Sequence, residues 1–387
     1  MSKPDPSARD FWQGRRVLIT GHTGFKGAWL WLWLRALGAR LTGYALAPAT
    51  VPSLWEIVRA GAHADESSII ADVRDPARLS AAVEAADPQV VFHLAAQALV
   101  RESYADPLAT FATNVLGTGA LLEACRTLEH LECVVVVTSD KVYENEGTGR
   151  AFEEGDRLGG HDPYSASKAA AEILTKSFRD SFFADGPPVA TARAGNVIGG
   201  GDWSVDRLIP DCVRALGAGG PVSLRYPDAV RPWQHVLEPL EGYLELARAL
   251  VRSPDSAPRA VNFGPDAASF STVRAVVDAF SARFGGKPGW QADASAHPSE
   301  ARALTLSSIL AGRTLGWRPR LDIDRALLWT ADWYRAQAAG EDMLRFSEAQ
   351  IAQYQTVGTS RGGDRHRGAP HNGARRHSSR RNGTRRK

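Results

Sequence analysis

The sequence predicts a doubly wound α/β fold: a parallel, Rossmann-like sheet with helices on both faces, followed by a smaller, partly interleaved C-terminal domain for substrate. Three observations carry this. Short apolar runs alternate with longer helical patterns through the first half of the chain. The runs lack the period-two alternation of a half-wetted strand, so both of their faces must be covered. A glycine triplet stands between the first run and the first helical pattern, where a sheet of this kind binds nucleotides.

The elements follow in order. Residues 16–20 (RVLIT) read as the first strand, which feeds the glycines and then a helix to about residue 37. Residues 41–46 read as a second strand, 68–71 as a short third and 90–94 (VVFHL) as a fourth. A helix is expected over 107–128, then a fifth strand at 133–138 (CVVVVT), a helix over 163–183 and a sixth strand at 189–193. After Gly195 the pattern loosens, and helices near 205–218, 236–252, 272–284 and 323–338 are joined by long polar loops. The expected division is a dinucleotide-binding domain over 11–195 with a return segment near 236–264. A substrate-binding domain is expected from 196–235 and 265–356.

Composition narrows the class. Of 387 residues, 44% are hydrophobic and 23% charged, which excludes a wholly disordered or collagen-like chain. The cysteines, Cys125, Cys133 and Cys212, are odd in number and form no CxxC. That argues against a disulfide scaffold or zinc ribbon and for a reducing cytosol. No HxH, HExxH or carboxylate cluster indicates a metal. The first ten residues are polar, and the apolar run 28–34 is far shorter than the roughly 20 residues a membrane span needs. A cytoplasmic protein without a membrane span is expected.

The net charge of +3 is unevenly placed. Residues 359–387 hold ten Arg and Lys against one acid, Asp364, so the tail carries +9 and the remainder −6. Without Leu, Ile, Val or aromatic residues the tail cannot offset its ordering entropy, and disorder is expected. Such a tail is either a tether to RNA, DNA or another acidic surface, or an extension with no part in the body's chemistry. Nucleic acid is not the expected partner of the body.

The first strand runs into Gly21-His22-Thr23-Gly24-Phe25-Lys26-Gly27 and then a helix. Glycine is needed where the turn is tight and where backbone approaches a pyrophosphate, and the helix N-terminus offers N–H groups to the phosphates. Gly21, Thr23, Gly24, Phe25, Lys26 and Gly27 are therefore the expected cofactor loop. Asp72 and Val73 are the expected adenine contacts, unless Asp72 caps a helix. Leu94, Ala95 and Ala96 complete the wall. No Lys or Arg lies between Arg40 and Arg59 to hold a ribose phosphate, so NAD is expected over NADP.

Tyr164 and Lys168 stand four apart, one above the other on a helix. A cationic lysine beside a phenol favours the phenolate, which can then act as a base. Ser139 ends the fifth strand, at the edge where ligands collect in open α/β sheets. Ser139, Tyr164 and Lys168 form a hydride-transfer set, with Tyr164 and Lys168 also expected to touch the cofactor.

The segments GHTGFKG (21–27), HLAAQ (93–97), TSDKVY (138–143), DPYSASK (162–168) and GNVIGGGDW (195–203) resemble those of the extended short-chain dehydrogenase/reductases. More narrowly, with DRLIPD (206–211), RPWQHV (231–236) and LGW (315–317), they are similar to the sugar-nucleotide 4,6-dehydratases that act on CDP-D-glucose. The resemblance covers about 11–356 and stops before the basic tail. It implies oxidation of the sugar at C4 through NAD, loss of the C5 proton and the C6 hydroxyl, and return of the hydride to C6. It also implies a homodimer and a place in surface-polysaccharide synthesis.

Elimination needs an acid and a base beyond the set above. Asp140 is the expected acid and must stay protonated; Lys141 is the expected base at C5 or else stabilises the enolate. Related dehydratases carry glutamate where this chain has Lys141. Asn196, Arg207 and Arg231 are the expected substrate contacts, since guanidinium matches phosphate in a bidentate way. Arg101 and His93 lie just past the fourth strand, and His93 is as well explained as a satisfied core histidine. Trp203 and Trp233 can stack on a base or anchor loops; Trp29, Trp31 and Trp33 are expected to pack the first helix. A sugar-nucleotide 4-epimerase shares the set but not the need for Asp140 and Lys141. A nucleotide-sensing protein using the basic tail is the non-enzymatic alternative.

Overall fold

The computed structural model describes residues 6–58, 66–147, 149–285, 289–293 and 304–357. The tail at 359–387 lies outside the described residues. Seven strands form the central sheet: β1 (Arg16–Thr20), β2 (Arg40–Ala45), β3 (Glu66–Ile70), β4 (Val90–His93), β5 (Cys133–Val137), β6 (Val189–Ala194) and, far along the chain, β11 (Ala260–Phe263). Their spatial order is β11-β6-β5-β4-β1-β2-β3, and every neighbouring pair is parallel. This is the doubly wound fold the sequence predicts. The order reverses between β1 and β4, so the carboxyl ends of those two strands open the crevice in which such sheets bind ligands. In β1 and β5, β-branched side chains give fully buried runs, as a sheet covered on both faces requires.

The helix Phe25–Ala36 is buried on all sides from Gly27 to Leu34, as expected of a helix that is apolar all round. Trp29 donates from Nε1 to the Gly200 carbonyl at 3.0 Å. Trp31 meets Trp55, and Trp33 meets Tyr354, in edge-to-face contacts. The three tryptophans thus pack this helix against its surroundings.

The helix expected over 107–128 is interrupted. It runs as Pro107–Phe111, a π-helical turn Ala112–Leu116, and Gly117–Cys125. The wider turn places Asn114 inward, where Nδ2 donates to Ser167 Oγ at 2.8 Å and to the Gln97 carbonyl at 3.0 Å, while Oδ1 accepts from Gln97 N. A single π-turn is the usual way to re-aim one side chain within a helix. The helix Pro163–Phe182 starts where Asp162 accepts from Ser165 N and Pro163 occupies the first turn.

Six short strands assemble the second half: β7 (Val197–Ile198), β8 (Val222–Leu224), β9 (Val230–Pro232), β10 (Gln234–His235), β12 (Phe270–Thr272) and β13 (Trp290–Ala292). They pair as β7 with β10, β8 with β13, and β9 with β12. Between β10 and β11 the helix Leu237–Arg252 packs against β5, so the chain returns to the large sheet. The helix expected from 205 starts only at Leu208, because Asp206 sits at φ 60°, a left-handed conformation that no helix contains.

The helix Met343–Val357 was not apparent in the sequence. It is strapped down through Glu238, which is fully buried and accepts from Arg320 N, Leu321 N at 2.7 Å and the Tyr354 hydroxyl at 2.8 Å. Burial raises the Glu238 pKa from the usual 4.5 to about 7, with the charge of Glu241 adding to it. Between those values the unfolded chain releases a proton that the folded chain keeps, so stability falls as pH rises from about 4.5 to 7. Glu238→Gln removes this contribution. Urea unfolding at pH 5 and pH 8 should show the variant losing about 3 kcal/mol less across that interval than the parent. Equal losses would show that Glu238 does not titrate there.

Candidate active site

A cleft of about 1220 Å³ opens at the carboxyl ends of β1, β4, β5 and β6 and is roofed by the second half of the chain. Its cofactor end is built from the glycine loop. Gly21 has φ +76°, and a Cβ there would stand 2.6 Å from Ala95 N. A Cβ on Gly27 would stand 2.1 Å from the Gly21 carbonyl oxygen. The loop therefore lies flat on Leu94 and Ala95 because Gly21 lacks a side chain, and the helix closes onto the loop because Gly27 lacks one. Gly24 is the N-cap of the helix Phe25–Ala36 and provides no side-chain cap, so the first N–H groups face the cleft as a phosphate requires. Thr23 Oγ1 ties the loop to the Leu46 carbonyl at 2.8 Å. Beneath it, His22 occupies the space a Cβ on Gly43 would fill and bonds Ser68 Oγ at 2.7 Å. These residues fit a dinucleotide.

Phe25, Asp72, Val73, Leu94, Ala95 and Ala96 line this end of the cleft. Asp72 is not a helix cap: Asp75 caps the helix Pro76–Ala86, and the Asp72 carboxylate pairs with Arg74 at 2.6 Å. Lys26 turns under the loop toward the Tyr243 hydroxyl, 3.4 Å away. Burial, helped by Arg207 and Lys168, lowers its pKa to about 7, with Asp140 pulling the other way.

At the end of β5 the chain makes a 3-10 turn, Asp140–Val142. Ser139 Oγ accepts from Lys141 N at 3.2 Å and donates to Asp140 Oδ1 at 3.0 Å. The turn drives the Asp140 carboxyl inward, where it is 2% exposed. A Cβ on Gly195 would stand 2.5 Å from Asp140 Oδ2, so that glycine makes room for the acid. Oδ2 has no protein hydrogen-bond partner among the described residues. Burial raises the Asp140 pKa, against the pull of Lys141, Ser139, Lys26 and Arg231. Lys141 lines the same cleft.

Tyr164 and Lys168 are both buried on the helix Pro163–Phe182 and both line the cleft. The sequence led us to expect Lys168 to draw the phenol toward ionisation. In the structure burial pushes the Tyr164 pKa up, and the opposing groups are Ser139 and Arg207. Lys168 Nζ donates to the Val137 carbonyl at 3.2 Å, and burial lowers its pKa to about 8. Asn196, Arg207 and Arg231 line the roofed end. Arg207 pairs with Asp202 at 2.9 Å, which holds its charge. Ser139, Asp140, Lys141, Tyr164 and Lys168 thus share one cleft with the glycine loop and the arginines.

His93 stands apart from this set. It bonds Thr20 Oγ1 at 2.7 Å and Thr118 Oγ1 at 3.0 Å, and burial takes its pKa to about 3. It is a satisfied core histidine. Trp233 borders the cleft and is anchored to the Ser271 carbonyl, whereas Trp203 packs edge-to-face on Tyr334. Arg101 reaches the rim and pairs with Asp206 at 2.9 Å. Arg225 and Tyr226 also line the cleft. They lie in an irregular stretch without periodicity, which left nothing to single them out by spacing.

A sheet with its switch point beside a glycine loop, and a serine, tyrosine and lysine at the next strand ends, defines a dinucleotide-dependent enzyme of sugar-nucleotide type. The chain belongs to the NAD dependent epimerase/dehydratase family, whose model matches residues 17–264, and its cofactor is NAD. Among curated proteins it is 44% identical over 357 residues to CDP-glucose 4,6-dehydratase of Salmonella typhimurium, covering 91% of this chain and 99% of that protein. Among solved structures, epimerase Mth375 from Methanothermobacter thermautotrophicus superposes with a TM-score of 0.76 at 22% identity, over 86% of this chain and 96% of that one. MoeE5 in complex with UDP-glucose and NAD gives a TM-score of 0.70 at 27% identity, over 83% and 99%.

Proposed function

We propose that the protein dehydrates CDP-D-glucose to CDP-4-dehydro-6-deoxy-D-glucose. One observation carries this reading: a buried carboxyl, Asp140, and an amine, Lys141, stand in the same cleft as Ser139, Tyr164 and Lys168. A simple dehydrogenase or epimerase has no use for that pair. The relative at 44% identity supports the cytidine sugar nucleotide as substrate.

The glycine loop and Lys168 would hold NAD, which when bound would accept hydride from C4 and give it back at C6. Tyr164 receives the proton of the C4 hydroxyl, and Ser139 hydrogen-bonds the C4 oxygen. The resulting ketone acidifies the C5 proton, which passes to Lys141. Asp140, kept neutral by burial, gives its proton to the departing C6 hydroxyl, and water leaves. As hydride returns to C6 the proton held by Lys141 goes back to C5, and the proton taken by Tyr164 replaces through solvent the one Asp140 gave up, so over the cycle the sugar loses one water and the cofactor is unchanged. Asn196, Arg207 and Arg231 hold the sugar and its diphosphate.

We place the reaction in the cytoplasm and assign a homodimer. Leu108, Leu116, Ile173 and Phe182 are exposed on the helical segments 107–125 and Pro163–Phe182, an apolar face suited to a second copy. Sedimentation equilibrium measures that assembly. The activity is tested by incubating the protein and NAD separately with CDP-, dTDP- and UDP-glucose. The alkali-induced absorbance of a 4-keto-6-deoxy sugar is expected from CDP-glucose. No product from any of the three ends the dehydratase reading.

A further inference from the structure

One buried carboxylate beside the reaction has no part in the roles above. Glu172 is 4% exposed and follows Lys168 by four residues on the same helix face. Its oxygens take four hydrogen bonds: from Thr138 Oγ1 at 2.5 Å, Thr191 Oγ1 at 2.7 Å, Arg193 Nε at 2.9 Å and Arg193 Nη2 at 2.8 Å. Arg193 is itself buried and donates from Nη1 to the Tyr143 hydroxyl at 2.7 Å and the Glu154 carbonyl at 3.0 Å. Tyr143 passes the chain on to Asn262 Oδ1 in β11 at 2.7 Å.

This arrangement is costly. Taking a carboxylate and a guanidinium out of water costs several kcal/mol each, and an apolar pair of like volume often serves stability as well. What an apolar pair cannot do is fix directions. Glu172 ties the Tyr164–Lys168 helix to Thr138, the residue immediately before Ser139, and to β6 just before Gly195 and Asn196. It is also the charge nearest in sequence to Lys168 on that face.

We propose that Glu172 is a positioning residue of the reaction: its carboxylate, neutralised by Arg193, holds Thr138, and with it Ser139 and Asp140, in register with Tyr164 and Lys168, and supplies the anion beside Lys168. The proposal rests on the dehydratase reading for the identity of the reaction, but not for the contacts.

Lys168 shares its helix face with Tyr164 and Glu172, and its charge reaches His93 on β4 and Lys26 under the glycine loop. Burial pulls its proton off, and Glu172 is the group that opposes this. Glutamine at 172 keeps the shape but leaves the Arg193 charge uncompensated and removes the opposing anion. Lys168 then loses its proton at lower pH. NAD affinity should follow, because the ammonium form holds the cofactor.

The test uses the full chain and two readouts from pH 6 to pH 9: NAD affinity by calorimetry without sugar nucleotide, and kcat with CDP-glucose. Glu172→Gln should move the alkaline fall of NAD affinity downward by about one pH unit. Glu172→Asp retains the charge but not the reach, so its alkaline limb should stay in place while kcat falls roughly tenfold. Glu172→Gln combined with Arg193→Met removes the bare cation but still lacks the anion, so its NAD limb should stay lowered, which assigns the shift to Glu172 and not to the Arg193 charge. Circular dichroism identifies any variant that does not fold, and the other variants then carry the comparison. Limbs that coincide in all folded variants, with only thermal stability changed, overturn the proposal. Failure of the parent to turn over any sugar nucleotide instead overturns the dehydratase reading, while the NAD limb still tests Glu172.

Discussion

Tyr164→Phe will lower turnover of CDP-glucose by roughly 10²–10⁴-fold and leave the fold intact. Only the phenolic oxygen is lost. The ring stays buried in its place on the helix Pro163–Phe182, and the helix start, held by Asp162 and Ser103, is untouched. The chemistry has no substitute for that oxygen. Ser139 offers the C4 oxygen only a neutral hydroxyl, which is no base, and Lys168 donates to the Val137 carbonyl. The phenol is neutral in folded and unfolded chains alike near neutral pH, so its raised pKa carries no stability there, and loss of its hydrogen bond with Ser139 should leave the thermal midpoint unchanged or slightly lower. NAD affinity should change little, because the glycine loop is unaltered. Activity within a few-fold of the parent would mean that another group takes the C4 proton.

Asp140→Asn separates two halves of the reaction. Asparagine matches the shape of the carboxyl that fits beneath Gly195 but has no acidic proton to give. Oxidation at C4 and release of the C5 proton should continue, and departure of the C6 hydroxyl should fail. In deuterated water, recovered CDP-glucose should therefore carry solvent deuterium at C5, while product falls by roughly 10²–10⁴-fold. The pH profile gives a second check. The acid works only while protonated, so the parent loses rate as pH rises through the elevated pKa of Asp140. Stability moves in the same direction, since ionising the buried acid costs free energy above the unfolded pKa. The variant should be the more stable protein in alkaline buffer and the less active one throughout. Product formed at the parental rate would remove Asp140 from the mechanism.

What was legible in the sequence was whatever backbone geometry or helical spacing forces. Gly21 and Gly27 could be read because no other residue fits against Ala95 and the Gly21 carbonyl. Tyr164 and Lys168 could be read because four residues make a helical turn. The same spacing carries on to Glu172, which was overlooked because a glutamate on a helix usually faces water. Its burial depends on Arg193, Thr138 and Thr191, which converge only through the strand order. The π-turn at Ala112–Leu116 was hidden for a similar reason: Asn114 turns inward to reach Gln97 and Ser167, contacts that lie far off in sequence. The helix Met343–Val357 escaped because polar Ser347 and Gln350 are buried beside Met343, Ile351 and Tyr354, which blurs the apolar stripe. Asp72 lines the cleft, and its pairing with Arg74 two residues on is a local turn contact that periodicity does not reveal.

The position of β11 matters for the way the chain is made. Six strands of the sheet have left the ribosome by Ala194, yet the edge of β6 stays open until residues 260–263 arrive. Until then a fully buried-type strand, VATARA, presents unpaired backbone to its surroundings, the feature that recruits stray strands in crowded solution. The roof segments β7 to β10 emerge during that interval, before the edge is sealed. The nascent chain thus passes through a stage in which the β6 edge is open, and the time spent between residues 194 and 263 sets its exposure to stray pairing.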